Sequence, residues 1–325
     1  MHRIGFLKSA LPLDGERALL SARGVDDVEL FDVPADQDRV PLSGALTDAD
    51  GLVIEWGEAP ASLFQENPQL KCVSDMYIGY DNIDVEAATE NGTWVTNVPG
   101  YCSYDVALHT LGLIVDLYRK ISFRDRLVRS GKWDDTAGYH VWRPSGQIAG
   151  LIYFGSIAKE LVPMLQGIGM KVLVYAPTKT KEYLARWGCE KAETVDGLFS
   201  ASDVVSLHCP LTPETTNIVN SKTLALMKPS AFLVNTARGG CVNEDALAAA
   251  LHSGTIQAAA VDVLRDETKL SSALIGLSNC TITPHAAYLS MNSYQELRKR
   301  AFLNCLAAVM GEVPADPVND PRAVF

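Results

Sequence analysis

Short apolar runs alternate with helix-length segments from one end of this chain to the other, and that pattern restricts its fold more than any other feature. In the first third, Arg3–Phe6, Val28–Val33, Gly51–Glu55, Lys71–Ser74 and Trp94–Asn97 have strand length and composition, with helical segments at Gly15–Arg23 and Val85–Asn91 between them. Alternation of this kind predicts a mostly parallel sheet covered by helices, an α/β fold. From Ser103 the period changes: Ala107, Leu111, Ile114, Tyr118 and Ile121 fall on one face of a long helix, with Ser103 as a candidate N-cap. A second α/β series follows, with strands at Ile148–Tyr153, Lys171–Tyr175, Val204–His208, Ala231–Asn235, Ala258–Val263 and Thr281–Thr283.

Within that series Ser156–Ile168 predicts a helix that Pro163 should weaken or kink, stopped by Gly169. Glu244–Ser253 has Asn243 as cap, two acids in its first turn and Gly254 after its end. The last helix, opening with a capping box at Ser293-Tyr294-Gln295-Glu296 and running to about Met310, has no later strand to pack on. It must find a partner earlier in the chain. The length of 325 residues suits two domains at roughly 150 residues each.

Composition excludes several classes. With 39 acidic against 28 basic side chains the formal net charge is −11, which argues against a general nucleic-acid or anionic-membrane binder. A small anionic ligand needs only a local positive spot. Seven scattered cysteines show neither a CxxC pair nor zinc spacing, so no disulfide framework and no metal site is expected. The apolar run Ile4–Leu7 is too short for a signal peptide, and the longest charge-free stretch, Leu270 to Gln295, is too rich in Ser, Asn, Thr and Pro to span a membrane. A reduced, cytoplasmic protein is the expectation.

Three places could carry chemistry. After the strand at Ile148 comes Tyr153-Phe154-Gly155-Ser156-Ile157-Ala158. A dinucleotide fold wants G-x-G-x-x-G/A there, so that backbone amides at a helix N-terminus reach the pyrophosphate. Gly155 and Ala158 fit and Tyr153 replaces the first glycine; taken alone, the turn fits an ordinary buried strand-to-helix turn equally well. At the end of the next strand, where an acid would hold the ribose hydroxyls of NAD, stands Ala176, followed by Pro177-Thr178-Lys179-Thr180-Lys181. Two lysines and two hydroxyls could hold a 2′-phosphate, or the segment is a solvated loop. Third, Arg238, Glu267 and His285 follow three predicted strands. Each alone is an ordinary surface or hydrogen-bonded residue. Together, at the carboxyl ends of consecutive strands, they suit a carboxylate binder, an orienting acid and a proton carrier.

Gly79-Tyr80-Asp81-Asn82-Ile83-Asp84, Asn97-Val98-Pro99-Gly100-Tyr101, the run from Ser202 through His208-Cys209-Pro210-Leu211-Thr212-Pro213 to Thr215, Asn235-Thr236-Ala237-Arg238-Gly239-Gly240 and Thr283-Pro284-His285 stand in this order. Over nearly its whole length the chain therefore resembles the D-isomer-specific 2-hydroxyacid dehydrogenase family, nearest the phosphoglycerate-dehydrogenase-like and C-terminal-binding-protein-like branch. The resemblance implies two Rossmann/flavodoxin-like doubly wound domains with a cleft between them. Residues 1–100 with 291–325 would form a discontinuous substrate domain, and 101–290 the dinucleotide-binding domain. It also implies a homodimer joined through the cofactor domain, and NAD(P)-dependent hydride transfer to or from a small 2-oxo or 2-hydroxy acid.

Carried over residue by residue, Arg238 would hold the carboxylate and keto oxygen, His285 would protonate that oxygen, and Glu267 would bond the other imidazole nitrogen and favour its charged form. Asp262 would contact the nicotinamide carboxamide, and backbone amides of Tyr77, Ile78 and Gly79 would meet the substrate carboxylate. Cofactor contacts would fall on Tyr153, Phe154, Gly155, Ser156, Ile157, Ala176, Thr178, Lys179, Cys209, Pro210, Thr236, Ala237, Arg238, Asp262 and His285. The chain departs from the family pattern at Asp75 and Tyr77, which stand where an Arg and a Gly are usual, and at Tyr153, Ser156 and Ala176. Ala176, Lys179 and Lys181 favour NADPH over NADH. The altered turn and Asp75 leave open a second reading, a dinucleotide-sensing or regulatory protein on the same fold with weak or lost catalysis.

Overall fold

The computed structural model of the protein describes residues 1–7, 11–36, 41–55 and 57–324. The chain packs as two compact units, Met1–Tyr101 with Ser290–Phe325, and Cys102–Leu289.

The first unit begins β1 (His2–Leu7), α1 (Asp14–Ala22), β2 (Val28–Val33), β3 (Gly51–Ile54), α2 (Ala61–Glu66), β4 (Cys72–Asp75), α3 (Val85–Glu90) and β5 (Trp94–Thr96). Its strands form one parallel sheet in the order β2-β1-β3-β4-β5. The strands are apolar on both faces because both faces are covered. Ile4, Phe6, Val53 and Cys72 contribute to one core, while Leu7, Leu52, Ile54, Val73 and Val95 contribute to the other. Asp84 caps α3, its carboxylate accepting from the Ala87 amide at 3.0 Å.

The second unit holds α4 (Ser103–Arg119), α5 (Ile121–Arg129), β6 (Ile148–Ile152), α6 (Ser156–Gly167), β7 (Lys171–Tyr175), α7 (Lys181–Ala185), β8 (Cys189–Lys191), α8 (Val195–Ala201), β9 (Val204–Leu207), α9 (Ser221–Leu226), β10 (Phe232–Asn235), α10 (Glu244–Ser253), β11 (Ala258–Val261) and β12 (Cys280–Ile282). These strands form a seven-stranded parallel sheet, β12-β11-β10-β9-β6-β7-β8. Chain direction across the sheet reverses between β6 and β9, which is the place where doubly wound folds bind ligands.

The last helix, α11 (Met291–Val309), belongs to the first unit and packs on β3 and β4. Gly51 allows the close approach: a Cβ there would lie 2.5 Å from Cys305 Sγ and 2.9 Å from Val309 Cγ2. Ser74 donates its hydroxyl to the Ala301 carbonyl oxygen at 2.8 Å, tying the helix to β4. A buried ion pair fixes its outer side, with Arg298 Nε 2.5 Å from Glu16 Oε1 on α1.

Several sequence expectations are corrected. The helix from Ser103 does not run through Ile121. Lys120 adopts φ +55°, α4 ends at Arg119, and α5 carries Ile121 exposed. Ser103 is the first helical residue rather than the cap, which falls on Cys102. The capping box of α11 lies three residues earlier than expected, formed by Ser290 and Ser293. α6 runs through Pro163, which sits on its exposed side where water can take up the carbonyl left unbonded. All seven cysteines are free, buried thiols, and among the described residues no helix is long and apolar enough to cross a membrane.

Candidate active site

The turn after β6 sits at the reversal point of the second sheet. Tyr153 takes φ +73°, the left-handed conformation usually left to glycine. Its amide donates to the Tyr175 carbonyl oxygen at 2.7 Å, and its ring packs on the core beneath β6, β9 and β10. The first glycine of the dinucleotide pattern is therefore replaced without losing the backbone conformation, because the Cβ leads the ring inward. Gly155 is the N-cap of α6, and no side chain caps that helix. A Cβ at Gly155 would meet nothing within 4 Å. Ala158 is fully buried in the core under α6 and Phe154 is likewise buried, while Ser156 is exposed and Ile157 half-buried. An uncapped helix N-terminus beneath open space fits a pyrophosphate.

Across the reversal point, β9 leads into His208-Cys209-Pro210. Cys209 is buried with its Sγ 3.8 Å from that of Cys241. Desolvation holds the His208 imidazole down to about 4, so it stays neutral at physiological pH, with Ser206 Oγ 3.0 Å from its Nε2. At the end of β7, Ala176 is buried and Thr178 exposed; Lys179 lies with Nζ 5.4 Å from the centre of the Tyr183 ring, and Thr180 is spent capping α7.

After β10, the buried Asn235 braces the next turn from inside. Its Oδ1 accepts from the Ala237 amide and its Nδ2 donates to the Arg238 carbonyl oxygen, both at 3.0 Å. Thr236 is linked at 2.8 Å to Thr110 on α4; because Thr110 donates to the Val106 carbonyl oxygen, it accepts from Thr236. Arg238 is half-buried and donates from Nη1 to its neighbour's carbonyl oxygen. Gly239 lies so close to the segment after β11 that a Cβ would stand 2.1 Å from the Leu264 carbonyl. The Arg238 turn and the approach to Glu267 are thus packed backbone on backbone.

His285 Nδ1 lies 2.9 Å from Glu267 Oε2, and Glu267 Oε1 accepts from the Leu264 amide at 3.4 Å. His285 has φ +53°, a strained conformation for a residue with a side chain. Asp262 holds it there. Its carbonyl oxygen accepts from the His285 amide at 2.7 Å, and its buried carboxylate accepts from the Ala286 and Ala287 amides at 3.0 and 2.9 Å and from the Thr283 hydroxyl at 2.5 Å. Behind Thr283 stands His109 of α4, its Nε2 3.1 Å from the Thr283 oxygen. Since Thr283 gives its proton to Asp262, His109 must donate from Nε2. His109, Thr110 and Asn235 were not expected from sequence. Only the polar breaks at His109 and Thr110 on the otherwise apolar α4 face could have signalled two of them.

In the first unit, Tyr77, Ile78 and Gly79 follow β4. The Tyr77 and Ile78 carbonyl oxygens are held by the Val98 amide at 2.9 Å and by Asn97 Nδ2 at 2.6 Å. In trans peptides this turns the Ile78 and Gly79 N–H groups the opposite way. Asp75, the last residue of β4, is fully buried.

A doubly wound sheet with a pyrophosphate-type turn at its reversal point, and a carboxylate-paired histidine beyond a further strand, defines a nicotinamide-dependent dehydrogenase. The chain belongs to the D-isomer specific 2-hydroxyacid dehydrogenase family: residues 111–287 match its NAD binding domain. It is similar to a glyoxylate reductase of Thermococcus litoralis, 33% identical over 90% of both chains. A hydroxypyruvate reductase of Blautia hydrogenotrophica is 32% identical over 89% of this chain and 91% of its own. The crystal structure of an NADPH-dependent glyoxylate/hydroxypyruvate reductase from Sinorhizobium meliloti, in complex with citrate, superposes over 99% of both chains at a TM-score of 0.84 and 26% identity. The protein is an NAD(P)-dependent oxidoreductase acting on 2-oxo and 2-hydroxy acids.

Proposed function

We propose that Arg238, Glu267 and His285 are the catalytic groups of a reductase for short 2-oxo acids of the glyoxylate and hydroxypyruvate kind. The observation that carries this reading is the 2.9 Å bond between His285 Nδ1 and Glu267 on a turn locked by Asp262. With Nδ1 engaged by the carboxylate, Nε2 is the nitrogen left to give a proton to the keto oxygen. The bound nicotinamide supplies the hydride. Glu267 stabilises the imidazolium before the transfer, and Arg238 binds the substrate carboxylate and polarises the carbonyl. In the first unit, the N–H groups of Ile78 and Gly79 are the backbone donors suited to a carboxylate. Asp262 Oδ2 accepts one backbone bond and keeps capacity for the nicotinamide carboxamide.

The reading of a regulatory protein without catalysis drew on the altered turn and on Asp75, and the backbone conformation retained at Tyr153 speaks against the first of these. We place NADPH ahead of NADH because the strand end at Ala176 carries no acid and Lys179 and Lys181 flank it. A second copy of the chain is the proposed partner, engaging the α5 region, where Trp133 and Trp142 are exposed. Free buried thiols suit the cytoplasm.

Oxidation of NADPH and of NADH, followed at the nicotinamide absorbance band with a panel of 2-oxo acids, tests the reading. Turnover is expected and is abolished in His285→Ala. No turnover with any acid and either cofactor would overturn it, and equal or better kinetics with NADH would overturn the cofactor preference.

A further inference from the structure

Asp75 is the one carboxylate in the described residues whose two oxygens are both buried and without a hydrogen-bond partner. An orphaned carboxyl of this kind costs stability, and a fold has no structural use for it. It closes β4, opposite Ile54 of β3 in the register, at the carboxyl end of a parallel sheet and two residues before Tyr77, where the segment Tyr77, Ile78 and Gly79 begins. The donors nearest Asp75, the Asn82 side-chain amide and the Met76 amide, are held by the Gly57 and Ile54 carbonyl oxygens, each at 2.9 Å. Arg298 is paired with Glu16 and also donates to the Leu11 and Pro12 carbonyl oxygens, which leaves its Nη1 without a partner. Glu55 accepts from the Tyr294 hydroxyl, and Asp81 adds negative potential at Asp75.

We propose that Asp75 selects the side chain of the substrate, and that it takes a hydrogen-bond donor without negative charge, a hydroxyl or a cationic nitrogen, on a 2-oxo acid. Either donor supplies what the carboxyl lacks, whereas a phosphate or second carboxylate adds negative charge beside Asp75 and Asp81. The inference rests on the reductase reading above and adds a substrate class to it. Burial pushes the Asp75 carboxyl up to about 8, so at neutral pH it is protonated and can both give and accept a bond to a hydroxyl; a guanidinium would draw it into the ionised form.

The test is kcat/KM for 3-hydroxypyruvate, 5-guanidino-2-oxopentanoate, 2-oxobutanoate and 2-oxoglutarate, with the wild type, Asp75→Asn and Asp75→Leu, and circular dichroism as a check of folding. The wild type should prefer at least one donor-bearing acid over 2-oxobutanoate and reject 2-oxoglutarate. If the natural group is a cation, both variants lose about tenfold of that preference; if it is a hydroxyl, Asp75→Leu loses it and Asp75→Asn keeps it. A wild type that favours 2-oxobutanoate or 2-oxoglutarate over both donors overturns the proposal, as do folded variants whose ratios stay within about twofold of wild type. Either result leaves the reductase reading intact, whereas absence of turnover with all four acids overturns both.

Discussion

Replacing Asp75 by Asn should stabilise the protein, and by an amount that depends on pH in a defined way. In the folded chain burial moves the carboxyl from its ordinary 3.8 up to about 8. Below the unfolded value both states are protonated and the group contributes no difference. Between the two values the unfolded state releases the proton and the folded state does not, so folding loses about 1.4 kcal/mol per pH unit. Stability tied to this proton is fully present below pH 3.8 and is lost progressively until pH reaches about 8. The accumulated cost is about 4 kcal/mol at pH 7 and on the order of 6 kcal/mol above pH 8, with partial hydration on ionisation reducing both. Asn has nearly the same shape and no proton to lose, so the variant escapes this term. Urea unfolding followed by far-ultraviolet circular dichroism at pH 4, 5.5, 7 and 8.5 measures it. The difference between variant and wild type cancels the other titrating groups. The advantage of the variant should grow steadily from pH 4 to pH 8. A difference that stays flat across that range would show that the carboxyl is ionised at ordinary cost, and the account of its burial would be wrong.

Three further outcomes follow from the site geometry. Glu267→Gln removes the charge facing His285 Nδ1 and should lower kcat by about 10²–10⁴-fold with little change in KM, measured by steady-state kinetics. Gly239→Ala forces a Cβ against the Leu264 backbone; it should cost about 1–3 kcal/mol in thermal unfolding and reduce kcat as the Arg238 turn is displaced, and a variant with wild-type activity would contradict the close packing. Tyr153→Gly keeps the conformation the turn needs, so cofactor affinity by calorimetric titration should stay within about threefold of wild type; a large gain would mean that the tyrosine obstructs the pyrophosphate.

Much of the architecture was legible because parallel strands covered on both faces must be apolar throughout, and runs such as Phe232–Asn235 and Val204–Leu207 have little other use in a soluble-protein core. β8 was not legible. Two of its three residues, Glu190 and Lys191, are charged, which an edge strand with one neighbour tolerates. The break between α4 and α5 was hidden for a different reason. No glycine or proline marks it, and Lys120 is held in the left-handed region by tertiary contacts, its Nζ donating to the Ala137 carbonyl oxygen at 2.6 Å. The strand-end positions of Arg238, Glu267 and His285 could be read from spacing. The support beneath them could not, since Asp262, Thr283 and His109 act only once positions up to 174 residues apart are brought together.

His285 and Tyr153 share a property that links these observations. Both leave a strand end at positive φ without being glycine, at +53° and +73°. Such a residue is unfavourable in isolation, so the surroundings must over-determine it. At Tyr153 the ring is drawn into the core; at His285 the Asp262 carboxylate fastens the two following amides while its carbonyl oxygen holds the His285 amide. The two solutions differ in what they leave free. At the first turn the partly buried ring rests on the core and the space above Gly155 stays open. Fastening the backbone instead leaves the imidazole half-exposed and aimed by Glu267, as a proton carrier requires. The strain at His285 is thus held from both sides by one residue, the Asp262 carboxylate on the following amides and its carbonyl oxygen on the His285 amide.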